Sequence, residues 1–366
     1  MPDTRLPPSS DATLGTDHSA ALRRLLLNPS ATLSALIVMF VIFGMTQSSA
    51  FTQPLTWVNI VRDGSFTAML AAFEAIVLIG GGLDLSIGSV YVAAAMLSAH
   101  LMVTGWAPPA AIIAGILLGA GVGAVNGVLT NFAKIPPIIA TLATMYAVRS
   151  VVNALSQGAT VPLPDSVSRL VQNNLFGIPP VVFAAIIVCG LAHVLLHMTN
   201  LGWSIRATGG NLSAARNAGL NVRAISIMTY VLCGAAAALT GILQSARLGA
   251  APSNLGTGME MIGIAAAVIG GTSVLGAIGS VPGAVLGALM MSILNFGLIV
   301  LHVDPNWQNF VIGAVLVAAA SLDQLSARQQ FRMSARRTAL ANDEPDATAP
   351  PVRTAAPETV ITVGLP

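Results

Sequence analysis

The sequence predicts an all-α polytopic membrane protein of about ten transmembrane helices, some of them broken, with both termini in the cytoplasm. Three observations carry this. Of 366 residues, 55% are hydrophobic and only 8% are charged, against the roughly 25% charge that wets a soluble domain. Between Gly64 and Val300 the charges are confined to Glu74, Asp84, Lys134, Arg149, Asp165, Arg169, Arg206, Arg216, Arg223, Arg247 and Glu260. The apolar runs between them are continuous, about the 20 residues that cross a bilayer. Backbone groups in lipid need internal partners, and a barrel strand would alternate, so these runs are helices.

Residues 1–28 are polar and read as a disordered cytoplasmic leader, since a secretion signal reaches its apolar core sooner. The membrane domain follows over 29–325. Apolar windows centre on 31–50, 64–80, 86–104, 109–131, 137–155, 178–199, 224–246, 260–274, 282–301 and 307–322. Arg23 and Arg24 precede the first and place the N-terminus inside. Most other basic residues agree: Lys134, then Arg206, Arg216 and Arg223 in a cytoplasmic loop over 200–223, then Arg328, Arg332, Arg336 and Arg337 fall on the inner side, while the Asp165 to Gly177 loop and the His302 to Asn306 turn, predicted outside, hold only Arg169 between them. Arg62 and Asp63 break the pattern, and are expected to pair on a short interfacial helix begun by Trp57. The stretch 326–366, basic and then Pro/Ala/Thr-rich, reads as a disordered cytoplasmic tail.

Several classes are excluded. The net charge is +2 with a single lysine, so no basic patch addresses nucleic acid. That lysine sits in Ala133-Lys134-Ile135, whereas a phosphate-binding loop needs Gly-Lys-Ser/Thr; the chain has no ATP site of that kind. Cys189 and Cys233 lie in apolar runs and read as buried thiols, with no metal spacing. Trp57, Trp106, Trp203 and Trp307 fall near span ends, as interfacial anchors do.

Glycine is patterned. Gly115, Gly119, Gly123 and Gly127 recur every fourth residue, as do Gly279, Gly283 and Gly287, which places small residues on one face for close helix packing. In Gly80-Gly81-Gly82-Leu83-Asp84-Leu85-Ser86-Ile87-Gly88-Ser89, glycines and an aspartate interrupt two apolar runs. Irregular backbone at membrane depth is tolerated where it is buried or lines a wet cavity. Asp84 and Ser86 therefore either cap the next helix or line a pathway, and the two roles are compatible. After Lys134-Ile135-Pro136-Pro137, Thr141 and Thr144 share a helical face. Their hydroxyls either bond back to the helix or face a polar cavity. In the cytoplasmic loop, Asn211 is a good N-cap and Gly219 a stop, which predicts a helix of about two turns. It either docks on a partner or rests on headgroups. Arg247 and Glu260 are placed at the outer mouth, paired with each other or with a partner.

Taken together, Gly81 through Ser89, Ile135-Pro136-Pro137 with Thr141-Leu142, Gly209-Gly210-Asn211 with Ala214-Ala215 and Gly219, and Glu260 through Gly271-Thr272-Ser273 resemble the ribose-type permeases of ABC transporters, from about Trp57 to Asp323. The resemblance implies a permease subunit of an ATP-driven, binding-protein-dependent importer of a monosaccharide or related furanosyl compound in the bacterial inner membrane. It implies three partners: an ABC ATPase subunit that uses the ATP, a periplasmic or extracellular sugar-binding protein, and a second permease subunit. No cofactor is bound by the chain and it performs no catalysis. The helix Asn211 to Gly219 resembles the family's coupling helix, with Asn211, Leu212, Ala214, Ala215, Ala218 and Gly219 meeting the ATPase. Gly81, Gly82, Asp84, Ser86, Thr141 and Thr144 become the pathway or helix-break candidates. Two departures stand out: the family's glycine after Thr-Leu is Ala143, and its Gly-Gly pair is Gly276-Ala277. A branched-chain amino acid or nucleoside permease of related fold is the near alternative. An ion-coupled secondary transporter, with Glu74 and Asp84 as its deep acids, is the distant one.

Overall fold

Proline opens most of the long helices, because its missing N–H is unneeded in a first turn. In the computed structural model, which describes residues 51–304 together with Ile37, Val41, Met45 and positions 307, 308, 310–315, 317, 318 and 321, Pro54 begins α1 (Pro54–Ile79), and α2 (Ile87–Val103) follows the glycine-rich turn. Next come α3 (Pro108–Asn131) and α4 (Pro137–Ser156). Beyond them lie β1 (Val161–Pro162), α5 (Asp165–Gln172) and α6 (Pro180–Met198). Two short helices, α7 (Asn200–Gly210) and α8 (Leu212–Asn217), lead into α9 (Val222–Leu248). Last are β2 (Ala250–Ala251), α10 (Met259–Ile269) and α11 (Val281–Val300).

Each apolar window from 64–80 to 282–301 coincides with a helix. Among the described residues, α3, α4, α6, α9 and α11 are long and apolar enough to cross a membrane. The helices α2 and α10 are shorter apolar helices, and α1 carries Arg62, Asp63 and Glu74 along its 26 residues. The window 31–50, the leader and the tail lie wholly or largely outside the described residues, while in the window 307–322 the described positions 307, 308, 310–315, 317, 318 and 321 are helical.

One core forms where α1 packs on α6, α10 and α11, around Met69, Ile76, Ile79, Ala266 and Ala284. A second joins α2, α3 and α9 around Val90, Tyr91, Tyr230 and Ala237. By contrast α4 and α6 expose Ile138, Ile139, Leu155, Ile186, Ile187 and Leu191, the apolar flank a bilayer solvates.

The glycine stripe explains the tightest contact. Gly115, Gly119, Gly123 and Gly127 are all buried on α3, and a Cβ at Gly127 would stand 2.7 Å from the Ile227 Cα; at Gly119 and Gly123 it would collide with the carbonyls of Gly234 and Tyr230. Backbones of α3 and α9 thus touch directly. On α11 the stripe is shorter than its spacing implied: Gly283 and Gly287 meet the backbones of Gly270 and Ala266, but Gly279 precedes the helix.

Three features were not anticipated, the first being α5 within the segment read as an outer loop. A minimal antiparallel sheet pairs Val161 with Ala251 and Pro162 with Ala250, and α7 precedes the expected loop helix. Arg62 and Asp63 do not form a pair on a separate interfacial helix; both belong to α1. Arg62 donates to Asn59 and Asn174, 3.3 Å each, while Asp63 meets Arg247 across the bundle.

Candidate functional site

The turn after α1 is a helix stop whose amides are accounted for. Gly81 takes φ +82°; its N–H donates to Leu78 O and that of Gly82 to Val77 O, both at 2.9 Å. This is the paired bonding of a glycine C-terminal motif, and it turns the chain back into the bundle. Gly82 is fixed for another reason, since a Cβ there would lie 2.7 Å from the Tyr230 hydroxyl.

The returning segment carries Asp84, fully buried along with Glu74, Ser86 and Asn126. Asp84 Oδ1 accepts from the Ser86 amide at 2.9 Å, the Ser86 hydroxyl at 2.6 Å and Asn126 Nδ2 at 3.3 Å. Asn126 also donates to Ser86 Oγ at 2.8 Å and accepts from Thr144 Oγ1 at 2.6 Å. On the other side the Asp84 amide donates to Glu74 Oε1 at 3.1 Å, and the Cys233 thiol reaches Glu74 Oε2 at 3.6 Å. One network therefore ties α1, α2, α3, α4 and α9 at the break. Among the described residues Asp84 Oδ2 has no hydrogen-bond partner.

The sequence candidates divide here. Asp84, Ser86 and Thr144 come together, while Thr141, also buried, returns its hydroxyl to Pro137 O at 2.9 Å. Asn126 was missed. Its signal was present, a polar amide beside Gly127 on the buried face of an apolar span, where such groups are rare and functional by default.

At the end of the bundle that holds Gly80, α7 lies against the break. A Cβ on Gly209 would overlap the Ile79 carbonyl, and one on Gly276 would stand 2.7 Å from Gly209 O. The Ala277 amide donates to Ile79 O at 2.9 Å. Arg206 clamps the same loop, donating to Ala277 O at 3.3 Å and Gly279 O at 3.0 Å, with His197 Nε2 at 3.1 Å. Partial burial lowers the pKa of this guanidinium, which nevertheless stays charged. Ala277 takes φ +63°, the conformation that the missing glycine would hold without strain.

From this platform projects α8. Asn211 Oδ1 caps it, accepting from the Ala214 amide at 2.9 Å, and Gly219 ends it at φ +83°. Leu212, Ala214 and Ala218 face outward, whereas Ala215 is buried, 4% exposed. Ala215 thus anchors the helix and is not part of the surface it presents.

The opposite end holds Arg247, whose ion pair is with Asp63 and not with Glu260. Glu260 Oε1 accepts from the Gly258 amide at 3.3 Å, and its carboxylate rests on Gly88, where a Cβ would overlap Oε2. An acid in the first turn of α10 laid on the first turn of α2 sits at the positive ends of both helix dipoles. Its place is the start of these two short helices.

A bundle of apolar helices with a buried polar break and an ordered helix on one face is the form of a membrane permease subunit. A family model described as branched-chain amino acid transport system / permease component matches residues 56–320, and the chain belongs to that family. It is 35% identical over 293 residues to the autoinducer 2 import system permease protein LsrC of Escherichia coli O9:H4 (strain HS), covering 80% of this chain and 85% of the relative. It is 34% identical over 301 residues to the D-allose transport system permease protein AlsC of Escherichia coli (strain K12), covering 79% and 90%. With the ribose import permease protein RbsC of the same strain it shares 35% over 296 residues, covering 80% and 92%. The resemblance to ribose-type permeases is borne out.

Proposed function

We propose that this chain is the permease subunit of an ATP-driven, binding-protein-dependent importer of a monosaccharide or related furanosyl compound in the bacterial cytoplasmic membrane. Relatives named for ribose, allose and autoinducer 2 support the substrate class. In this reading ten spans leave both termini, between leader 1–28 and tail 326–366, in the cytoplasm. The α7–α8 end faces an ABC ATPase subunit that uses the ATP, and the Asp63–Arg247 end faces a sugar-binding protein. A second permease subunit completes the pathway.

The observation that carries the coupling role is α8 itself: a capped helix presenting Leu212, Ala214 and Ala218 outward, set on α7, whose Gly209 lies against Ile79 and the Gly276 loop. A small, apolar helical face suits a groove on a protein partner. Gly81, Gly82, Asp84, Ser86 and Thr144, with Asn126, then form the break that such a partner moves. Thr141 supports its own helix. The chain needs no cofactor for this work.

Reconstitution in proteoliposomes with the ATPase and binding protein tests the reading. ATP-dependent uptake of labelled D-ribose or D-allose is expected. Uptake by the chain alone, driven by an ion gradient, overturns it in favour of a secondary transporter; transport of leucine and of neither sugar moves it to the amino acid branch.

A further inference from the structure

Between α1, α2, α9, α10 and α11, at the end of the bundle that carries the Arg247–Asp63 pair, lies a cavity of about 280 Å³. Its polar wall is made by Asp63, Tyr91, Gln244, Arg247, Ser292 and Asn295. We propose that this cavity is a binding station for one neutral polyol, the size of a pentose or hexose, on its way through the outer half of the permease. The proposal rests on the functional reading above and adds to it where the sugar is held.

Four observations support the assignment. The volume lies at the lower edge of small-molecule sites, roughly 300–1,000 Å³, so it suits a monosaccharide better than an oligosaccharide. Its hydrogen-bonding groups are not used up by the fold: Gln244 Oε1 is buried with no hydrogen-bond partner among the described residues. Burying an amide oxygen without a partner is unfavourable, and a ligand hydroxyl supplies what is missing. Ser292 Oγ donates to Ile60 O at 2.8 Å, which leaves its lone pairs free to accept.

Charge selects the ligand class. Among the described residues lining the cavity, the fixed charges are Asp63 and Arg247, and these neutralise each other. The Arg247 guanidinium also sits 5.8 Å from the centre of the Phe66 ring. A zwitterionic amino acid would have to compete with that pair for both of its charged ends, whereas a polyol needs only hydroxyl partners. The ion pair forms the rim, so a ligand entering from that end passes it before meeting Gln244.

The test uses the complete importer in proteoliposomes, with D-ribose and D-allose as probes and leucine as the zwitterionic control. Gln244→Leu keeps the volume and removes the amide, and Asn295→Ala removes a second hydrogen-bonding group. Each is expected to lower sugar uptake by roughly five- to tenfold, the effect of one lost hydrogen bond. Assembly of each variant with the ATPase subunit, read by size-exclusion chromatography of the purified complex, should match wild type, which a misfolded permease would not manage. Ser292→Ala, a smaller change in the same wall, keeps the question open to refutation if the larger variants fail to assemble. Unchanged sugar uptake in assembled variants overturns the cavity assignment while leaving the functional reading intact. A wild-type importer that moves neither sugar overturns the functional reading, and the cavity assignment with it.

Discussion

Two glycines on α3 that stand two residues apart, Gly119 and Gly121, should respond oppositely to the same added methyl. At Gly119 a Cβ would lie 2.6 Å from the Ala238 Cβ and 3.0 Å from the Val90 Cγ1, and closer still to the Gly234 carbonyl oxygen. Since α3 and α9 meet backbone to backbone there, no side chain can swing aside and the helices must separate. A gap of about 0.5–1 Å forfeits a quarter to a half of the dispersion attraction between the facing atoms, and overpacking of this kind typically destabilises by about 1–3 kcal/mol. At Gly121 nothing lies within 4 Å, so Gly121→Ala meets open space and recovers about 0.8–1 kcal/mol of helix propensity. The two variants should therefore differ by about 2–4 kcal/mol, in opposite directions from wild type. Thermal unfolding of the permease in lipid nanodiscs, followed by circular dichroism, reads the difference. Gly119→Ala combined with Gly234→Ala should be less harmful than the two effects summed, because either one already opens the shared contact. Equal midpoints for Gly119→Ala and Gly121→Ala would refute the backbone contact.

Three further outcomes follow from the geometry. Ala277→Gly should raise the thermal midpoint: releasing a left-handed alanine returns about 1–2 kcal/mol, of which glycine's greater freedom in the unfolded chain takes back about 0.4–1 kcal/mol; a lower midpoint contradicts strain at φ +63°. Leu212→Glu, on the exposed face of α8, should leave stability within about 0.5 kcal/mol yet uncouple ATP hydrolysis from uptake, while Ala215→Glu, at a buried position, should lower membrane abundance; intact coupling in an abundant Leu212→Glu variant removes α8 from the partner interface. Asn126→Leu should destabilise by about 2–3 kcal/mol, since it strips a donor from Ser86 and an acceptor from Thr144 in a buried setting, and Thr144→Val should lose less; a neutral Asn126→Leu would mean that water fills the network.

Much of the scaffold is written locally. Prolines mark the starts of α1, α3, α4, α6 and α11, and Gly81, Gly219 and Gly271 mark stops, because fixed φ and positive φ are properties of one residue in its own backbone. The α3 stripe was legible because spacing of four defines a face without knowing the partner. What the sequence withheld depends on contacts between distant segments. Arg247 meets Asp63 across 184 residues, and nothing in the spacing around Glu260 argues against a closer pair. The two-residue strands carry no periodicity at all. Asn126 stood out on its own span as a polar amide, but its partners Asp84, Ser86 and Thr144 lie on other segments, so its role could not be read from spacing.

The position of α7 gives the cytoplasmic-loop reading its physical content. Three backbone stretches, the end of α1 at Ile79, Gly209 on α7 and the loop at Gly276–Ala277, are in direct contact with no side chain between them. Packed interfaces of this kind are stiff, so a force applied to α8 reaches both the glycine turn after α1 and the loop before α11, with Arg206 holding that loop to α7 through two carbonyls. Beyond the turn, Asp84 is fastened to α2, α3 and α4 through Ser86, Asn126 and Thr144. A single buried network thus sits between the exposed face of α8 and the helices that frame the cavity beside Arg247. Among the described residues Asp84 Oδ2 has no hydrogen-bond partner, so the network can take a further donor there without breaking an existing bond.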